Sequence, residues 1–311
     1  MERIAWLMEY PDPSLAYHVE RDLLDSPEAR LRTLRERIGR SGHCRLLLDN
    51  RNTNGHWGNG AYNPKWTCTH YVLFELMQLG MEPSDEGCRE SIGLLLDYER
   101  GENGGINYAR TVKYADVCVN GMLLAAASYF QADGERLEPI VDFLLRARMG
   151  DGGWNCEYVH GASKSSLHTT IAVLEGIERY AEGSYAYRRD ELIQAKRPAI
   201  EFILAHRLYK TRTTGETIRD EFLKYTFPIR WRYDVLRCLD YFWYARVPYD
   251  ERMEDAIRIL EGSMTKKGRW RGYHQAGKEY EAIERDKWNT LRALRVLRYF
   301  NREPPEPAAT A

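Results

Sequence analysis

The stretch Gly152-Gly153-Trp154-Asn155-Cys156, followed after ten residues by Leu167-His168-Thr169-Thr170-Ile171-Ala172-Val173-Leu174-Glu175-Gly176-Ile177, decides the fold class. A glycine pair marks a turn, and Ile171, Val173, Leu174 and Ile177 then fall on one broad face of a 3.6-residue period. The pattern recurs. Glycine turns stand at Gly55-His56-Trp57-Gly58, Gly104-Gly105-Ile106 and Gly268-Arg269-Trp270. Counted from Cys68, Cys118, Arg230 and Trp288, the same offsets give Tyr71, Leu73, Phe74, Met77; Gly121, Leu123, Leu124, Ala127; Tyr233, Val235, Leu236, Leu239; and Leu291, Ala293, Leu294, Leu297. The tryptophans Trp57, Trp154 and Trp270 read as staples between a turn and its next helix.

The five anchors are 50, 50, 62 and 58 residues apart, which marks a long repeat. Helices this apolar need cover, and 84–99, 135–147, 189–208 and 249–262 read as their amphipathic outer partners. A sixth inner helix over 14–25 opens at Asp12-Pro13-Ser14, with 27–40 as its mate. We therefore expect an all-α protein, one domain over 1–302, with a disordered Pro-rich tail over 303–311 around Pro304-Pro305-Glu306-Pro307. An open solenoid and a closed ring share this signature, and five or six pairs suffice to close an α/α toroid. In a ring the inner helices run parallel, so their N-terminal ends surround one mouth. Residues distant in sequence converge there, where the helix dipoles favour anions.

Composition narrows the function classes. With 45 Lys and Arg against 46 Asp and Glu, no global field draws the chain to nucleic acid or an anionic membrane. No apolar run reaches the length of a membrane span, and the start MERIAWLMEYPDP lacks the pattern of a secretory signal, so a cytoplasmic protein without stable membrane insertion is expected. The six scattered cysteines then stay reduced, available as core residues, ligands or nucleophiles. With 8 Trp and 21 Tyr, the chain has aromatic rings enough to line a cavity.

Polar residues interrupt the apolar pattern at the inner-helix starts: Cys68 and His70, Asp116 and Cys118, His168, then Arg230, Arg232 and Asp234. Brought together, a thiolate, an imidazole and a carboxylate make a zinc shell with an open fourth position. Asp116, Cys118 and His168 are the expected zinc ligands, with Cys156 next and Cys68 or His70 as replacements. Asp116, His70 and Asp234 are the candidate acid-base groups. Trp66, Tyr71, Tyr233 and Trp288 are candidate cavity-lining rings. Each also has a plain structural reading: Asp as a helix cap, Cys as a small core residue, His hydrogen-bonded beneath it, arginine in a salt bridge, and the rings as packed core. His18, His43, His206 and His274 have no evident convergent partner in the sequence.

The segment Gly104-Gly105-Ile106-Asn107-Tyr108-Ala109-Arg110-Thr111-Val112-Lys113-Tyr114-Ala115-Asp116-Val117-Cys118 resembles one in protein-prenyltransferase β subunits. There a glycine pair precedes an Arg and a Lys that bind isoprenoid diphosphate and an Asp-x-Cys that binds zinc. Ser166-Leu167-His168-Thr169 resembles the same family's third zinc ligand. The resemblance implies Arg110 and Lys113 as diphosphate ligands, with Arg230 and Arg232 as further substrate contacts. More widely the chain resembles bacterial squalene-cyclase-like and prenyltransferase-repeat proteins through Lys65-Trp66-Thr67-Cys68-Thr69-His70-Tyr71, Arg230-Trp231-Arg232-Tyr233-Asp234 and Trp288-Asn289-Thr290-Leu291-Arg292-Ala293-Leu294. It implies the α/α toroid of the terpenoid cyclases and a zinc-dependent transferase acting on an isoprenoid diphosphate or related apolar molecule. The rivals are a metal-free cyclase with Asp116 as general acid, and a non-catalytic toroid that binds an apolar ligand or a partner chain. A glycan-processing barrel is more distant, because the helix starts offer only Asp116 and Asp234 as acids.

Overall fold

The computed structural model describes residues 2–109 and 111–303. The expected tail therefore falls, but for Glu303, outside the described residues, as does Arg110. Among the described residues every regular element is helical, with no strand and only isolated bridges such as Arg100 with Ile106. The α-helices are α1 (Glu2–Leu7), α2 (Pro13–Asp22), α3 (Glu28–Ile38), α4 (Gly42–Asp49), α5 (Thr69–Gln78), α6 (Glu86–Leu96) and α7 (Val117–Tyr129). They continue as α8 (Gly134–Arg146), α9 (Leu167–Glu182), α10 (Arg189–Ala205), α11 (Val235–Tyr244), α12 (Glu254–Gly262) and α13 (Arg285–Tyr299). None of the described helices is long and apolar enough to cross a membrane.

The six expected inner helices are α2, α5, α7, α9, α11 and α13, and their outer partners are α3, α6, α8, α10, α12 and, beside α2 and α5, the unforeseen α4. Asp12 starts α2 as expected, its Oδ1 accepting from the Ser14 N–H at 2.9 Å. The fourth anchor is displaced: α11 begins at Val235 rather than near Arg230. Asp234 is the reason, since it is extended and its Oδ1 accepts from the Arg237 N–H at 2.8 Å, so Arg230 to Tyr233 precede the helix.

Inner helices pack on one another as well as on their mates: α5 on α7, α7 on α9, α11 on α13 and α13 on α2. The α7–α9 contact is the most extensive, and glycine permits it. A Cβ at Gly121 would stand 2.8 Å from the Ala172 carbonyl oxygen, and one at Gly176 would collide with the Gly121 carbonyl. The last long helix lies on the first, where Arg295 Nη1 meets Asp22 Oδ2 at 2.6 Å and Lys287 Nζ donates to the Glu9 carbonyl at 2.7 Å. One apolar cluster runs through all of these layers, from Leu7 to Phe300.

The three turn tryptophans repeat one device. The indole Nε1–H of Trp57 donates to the Leu47 carbonyl (2.6 Å), that of Trp154 to Leu144 (2.7 Å) and that of Trp270 to Leu260 (2.7 Å). Each acceptor lies in the last turn of an outer helix, where carbonyls lack intrahelical partners. The backbone N–H of each tryptophan donates to a threonine of the next inner helix, Thr69 and Thr170 in the first turn and Thr290 in the second, at 3.0 Å in all three. All three rings are fully buried. Trp154→Phe removes the indole donor and trims the ring, so urea denaturation should show a loss of about 2–4 kcal/mol. Thr170→Val, which strands only the Trp154 N–H, should cost about 1–2 kcal/mol; two variants as stable as the parent would refute the stapling role.

Candidate functional site

The helix starts gather some of the expected residues and part others. Cys118 and Cys156 meet: the Cys118 N–H, in the first turn of α7, donates to Cys156 Sγ at 3.4 Å, and the Thr169 hydroxyl reaches the same sulfur at 3.6 Å. The two thiols interact, which pushes Cys118 well up and draws Cys156 down, burial adding to the first shift and opposing the second. Asp116 stands at the N-cap position of α7 without capping it, and burial, then Glu157, raise its carboxyl against the pull of Lys65. His168 turns elsewhere. Its Nδ1 accepts from the Tyr233 N–H at 2.8 Å, and its ring packs on Phe222 and Trp231 at 5.2 and 5.3 Å. Among the described residues no three His, Cys, Asp or Glu side chains are grouped to hold a metal ion.

His70 is buried in an aromatic cage, its ring 5.6, 5.0 and 5.6 Å from those of Tyr62, Tyr71 and Tyr108. Its Nε2 has no partner, and burial drives its pKa down to about 3. The remaining expected residues are engaged structurally. Arg230 pairs with Glu75 at 2.7 Å beneath the faces of Trp66 and Tyr71. Asp234, besides capping α11, accepts from the Thr226 N–H and hydroxyl, both at 3.1 Å. Trp66 donates to the Ala276 carbonyl at 2.9 Å, Tyr71 shares a hydroxyl contact with Tyr62 at 2.9 Å, and Tyr233 donates to Leu208 at 2.5 Å. Arg232 is exposed over Trp231, and Lys113 is exposed 3.6 Å from Glu102.

A concave feature shared by the expected inner helices lies elsewhere: a cavity of about 300 Å³ lined by residues from all six of them. Tyr17, His18 and Arg21 come from α2; Phe74, Met77 and Gln78 from α5; Ala125 and Tyr129 from α7; Glu175 and Arg179 from α9. From α11 come Arg237, Asp240, Tyr241, Trp243 and Tyr244, and from α13 Trp288, Arg292 and Arg295. Most of these stand in the later turns of their helices, away from the starts where the sequence drew attention. Trp288 is the one expected site residue among them, stacked on Phe227 at 4.5 Å and 9° and edge-on to His18 at 5.3 Å.

His18 therefore does have partners that sequence reading missed. Its Nδ1 lies 2.9 Å from Arg21 Nη2, which can only donate, and 3.8 Å from Asp22 Oδ2; the closer contact favours the ring proton on Nε2, a buried nitrogen with no partner. Burial, then Arg21, lowers its pKa to about 4, and it stays neutral. Behind it runs a line of alternating charge: Arg21 to Asp22, Asp22 to Arg295 at 2.6 Å, Arg295 to Asp240 at 2.7 Å, Asp240 to Arg292 at 3.0 Å. Burial works to raise both carboxyls, but the arginines hold Asp22 and Asp240 below the usual range. One signal for this wall was available: Trp288, Arg292 and Arg295 are spaced i, i+4, i+7 along α13.

Three imidazoles, His18, His70 and His168, have pKa values lowered to about 4, 3 and 4 from the ordinary 6.5. The unfolded chain then binds more protons than the native one below pH 6.5, and stability falls as pH drops from there towards 4. His43 works in the opposite sense: burial pulls its pKa down, but the hydrogen bond and charge of Glu75, with the charges of Asp12 and Glu281, together outweigh burial and raise it. Urea midpoints measured at pH 7 and pH 5 should decline, by up to about 2 kcal/mol for each depressed imidazole. His70→Phe should flatten that decline; an unchanged slope would show that His70 is not held neutral.

No protein-family model matches the chain, and no curated protein matches it.

Proposed function

We propose that the chain is a single α/α toroid whose central cavity binds a small molecule with an apolar body. The observation that carries this reading is the cavity shared by all six inner helices. The packing of α13 on α2 supports closure, since the last inner helix meets the first. A volume of about 300 Å³ is at the small end of ligand sites, and Phe74, Met77, Tyr129, Phe227, Trp243 and Trp288 supply apolar wall. Both cavity acids are engaged, Glu175 by Arg237 at 2.6 Å and Asp240 by Arg292 and Arg295. Neither is placed as the protonated acid that polyene cyclisation needs, which favours binding over cyclisation.

Trp243 and Trp288 give the cavity its own reporter. Titration with geraniol, a short neutral isoprenoid, should change tryptophan fluorescence saturably. Ala125→Leu, which places a larger side chain at the wall of α7, should weaken binding tenfold or more while the helical circular dichroism is retained. Equal affinity in the variant would remove the cavity from consideration.

The zinc-centred transferase implied by the prenyltransferase resemblance is a second reading. Its support is the Cys118–Cys156 contact, with the Asp116 charge acting on both thiols; the expected His168 is engaged by the Tyr233 N–H instead. Metal analysis of protein purified without chelator separates the two. On the cavity reading, zinc content should not depend on Cys156; stoichiometric zinc that disappears in Cys156→Ala would establish the transferase-like centre instead.

A further inference from the structure

The charges around the cavity do not balance, and four buried donors of its lining residues lack a hydrogen-bond partner, Arg35 Nε, Tyr241 Oη, Arg292 Nη2 and His18 Nε2, of which the last two concern this imbalance. Six arginines line it: Arg21, Arg35, Arg179, Arg237, Arg292 and Arg295. Three have a carboxylate each, Arg237 with Glu175 at 2.6 Å, Arg179 with Glu182 at 3.2 Å and Arg35 with Glu82 at 3.6 Å. The other three share two, because Asp22 lies between Arg21 and Arg295, and Asp240 between Arg295 and Arg292. The line begins and ends in a guanidinium and carries one excess positive charge. His18, held neutral, does not add to it; Asp234 acts on Arg292 through its charge but lies outside the lining and spends its oxygens on Thr226 and the Arg237 N–H.

The unpartnered donors stand at this same wall. Arg292, with a side chain 1% exposed, commits Nε to Asp240 and Nη1 to the Thr226 carbonyl and Asn289, while Nη2 is buried without a partner. The His18 Nε2–H is the second. Trp288 and Phe227 join them into one surface: His18 packs on Trp288, Trp288 stacks on Phe227, and the Arg292 guanidinium lies 6.0 Å from the Phe227 ring centre. A buried N–H left unmade costs about 1–3 kcal/mol, and more when it belongs to a charged group. An acceptor bearing negative charge relieves both conditions.

Resting on the cavity reading, we propose that the occupant is a small monocarboxylate with an apolar body, its carboxylate received by Arg292 Nη2–H and His18 Nε2–H and its body laid along Trp288 and Phe227. The excess of one charge selects a monoanion. A phosphate monoester brings about −1.5 to −2 at neutral pH and would leave negative charge uncompensated in a desolvated site.

Calorimetric titration with geranate, geraniol and geranyl phosphate at pH 7.5 tests this on the whole chain. Geranate should bind at least tenfold tighter than geraniol, and tighter than geranyl phosphate. His18→Phe keeps an aromatic ring and removes the donor, and should cut the ratio of geranate to geraniol affinity to threefold or less. Arg292→Met should abolish the preference; if its circular dichroism shows that it does not fold, His18→Phe decides alone. Equal binding of geranate and geraniol, or a full preference in His18→Phe, overturns the carboxylate assignment and leaves the cavity reading standing. Tightest binding of geranyl phosphate overturns the choice of a monoanion, and no binding of any of the three overturns the cavity reading itself.

Discussion

A buried line of five charges, Arg21, Asp22, Arg295, Asp240 and Arg292, ties the two ends of the chain to each other and to α11. Charges taken this far out of water are tolerated only when each is paired and hydrogen-bonded. Asp22 and Asp240 meet the condition because each lies between two guanidiniums. The geometry is available only when α2, α11 and α13 stand side by side, so the line specifies a neighbourhood that apolar packing would leave loosely defined. It also sets the electrostatic character of the cavity, since the guanidiniums that satisfy those carboxylates form part of its wall.

The helix starts illustrate a different use of polar groups. Asp234 caps a helix, Arg230 neutralises the buried Glu75, and His168 receives a backbone N–H that would otherwise be stranded. Those polar interruptions hold loops against the inner helices at the end where the tryptophan staples also act. Asp116 with Cys118 and Cys156 is the exception, a carboxyl and two interacting thiols with no evident structural duty for the carboxyl.

Periodicity made the helices legible. The apolar offsets found α5, α7, α9 and α13 near their anchors, and the Asp12-Pro13-Ser14 signal found α2, because burial on one face leaves a local trace in sequence. The displaced start of α11 was hidden because Tyr233 is apolar and buried without being helical, and no offset records that. The cavity was harder still. His18 has no chemical neighbour within its own repeat except Arg21 and Asp22, and Asp240 and Arg295 lie on two further helices, so their meeting is a property of the tertiary arrangement. Glu75, which pairs with both Arg230 and His43, was invisible for the same reason. Attention went to the helix starts because polar residues there break the apolar pattern in clusters, whereas the arginines of α13 are interleaved singly among leucines.

The glycines between α7 and α9 bear on how such a protein diversifies. Where Gly121 and Gly176 bring two backbones into contact, the distance between helix axes is already at its floor, and no side chain remains there to be pared away. Change in the volume of the cavity is left to positions that carry side chains able to shrink or grow, and α2, α11 and α13 supply many of them as bulky rings and guanidiniums. Those helices also carry the charges that join α2 to α13, so a substitution that reshaped the cavity there would disturb at the same residues the ion pairs that hold the first and last long helices together.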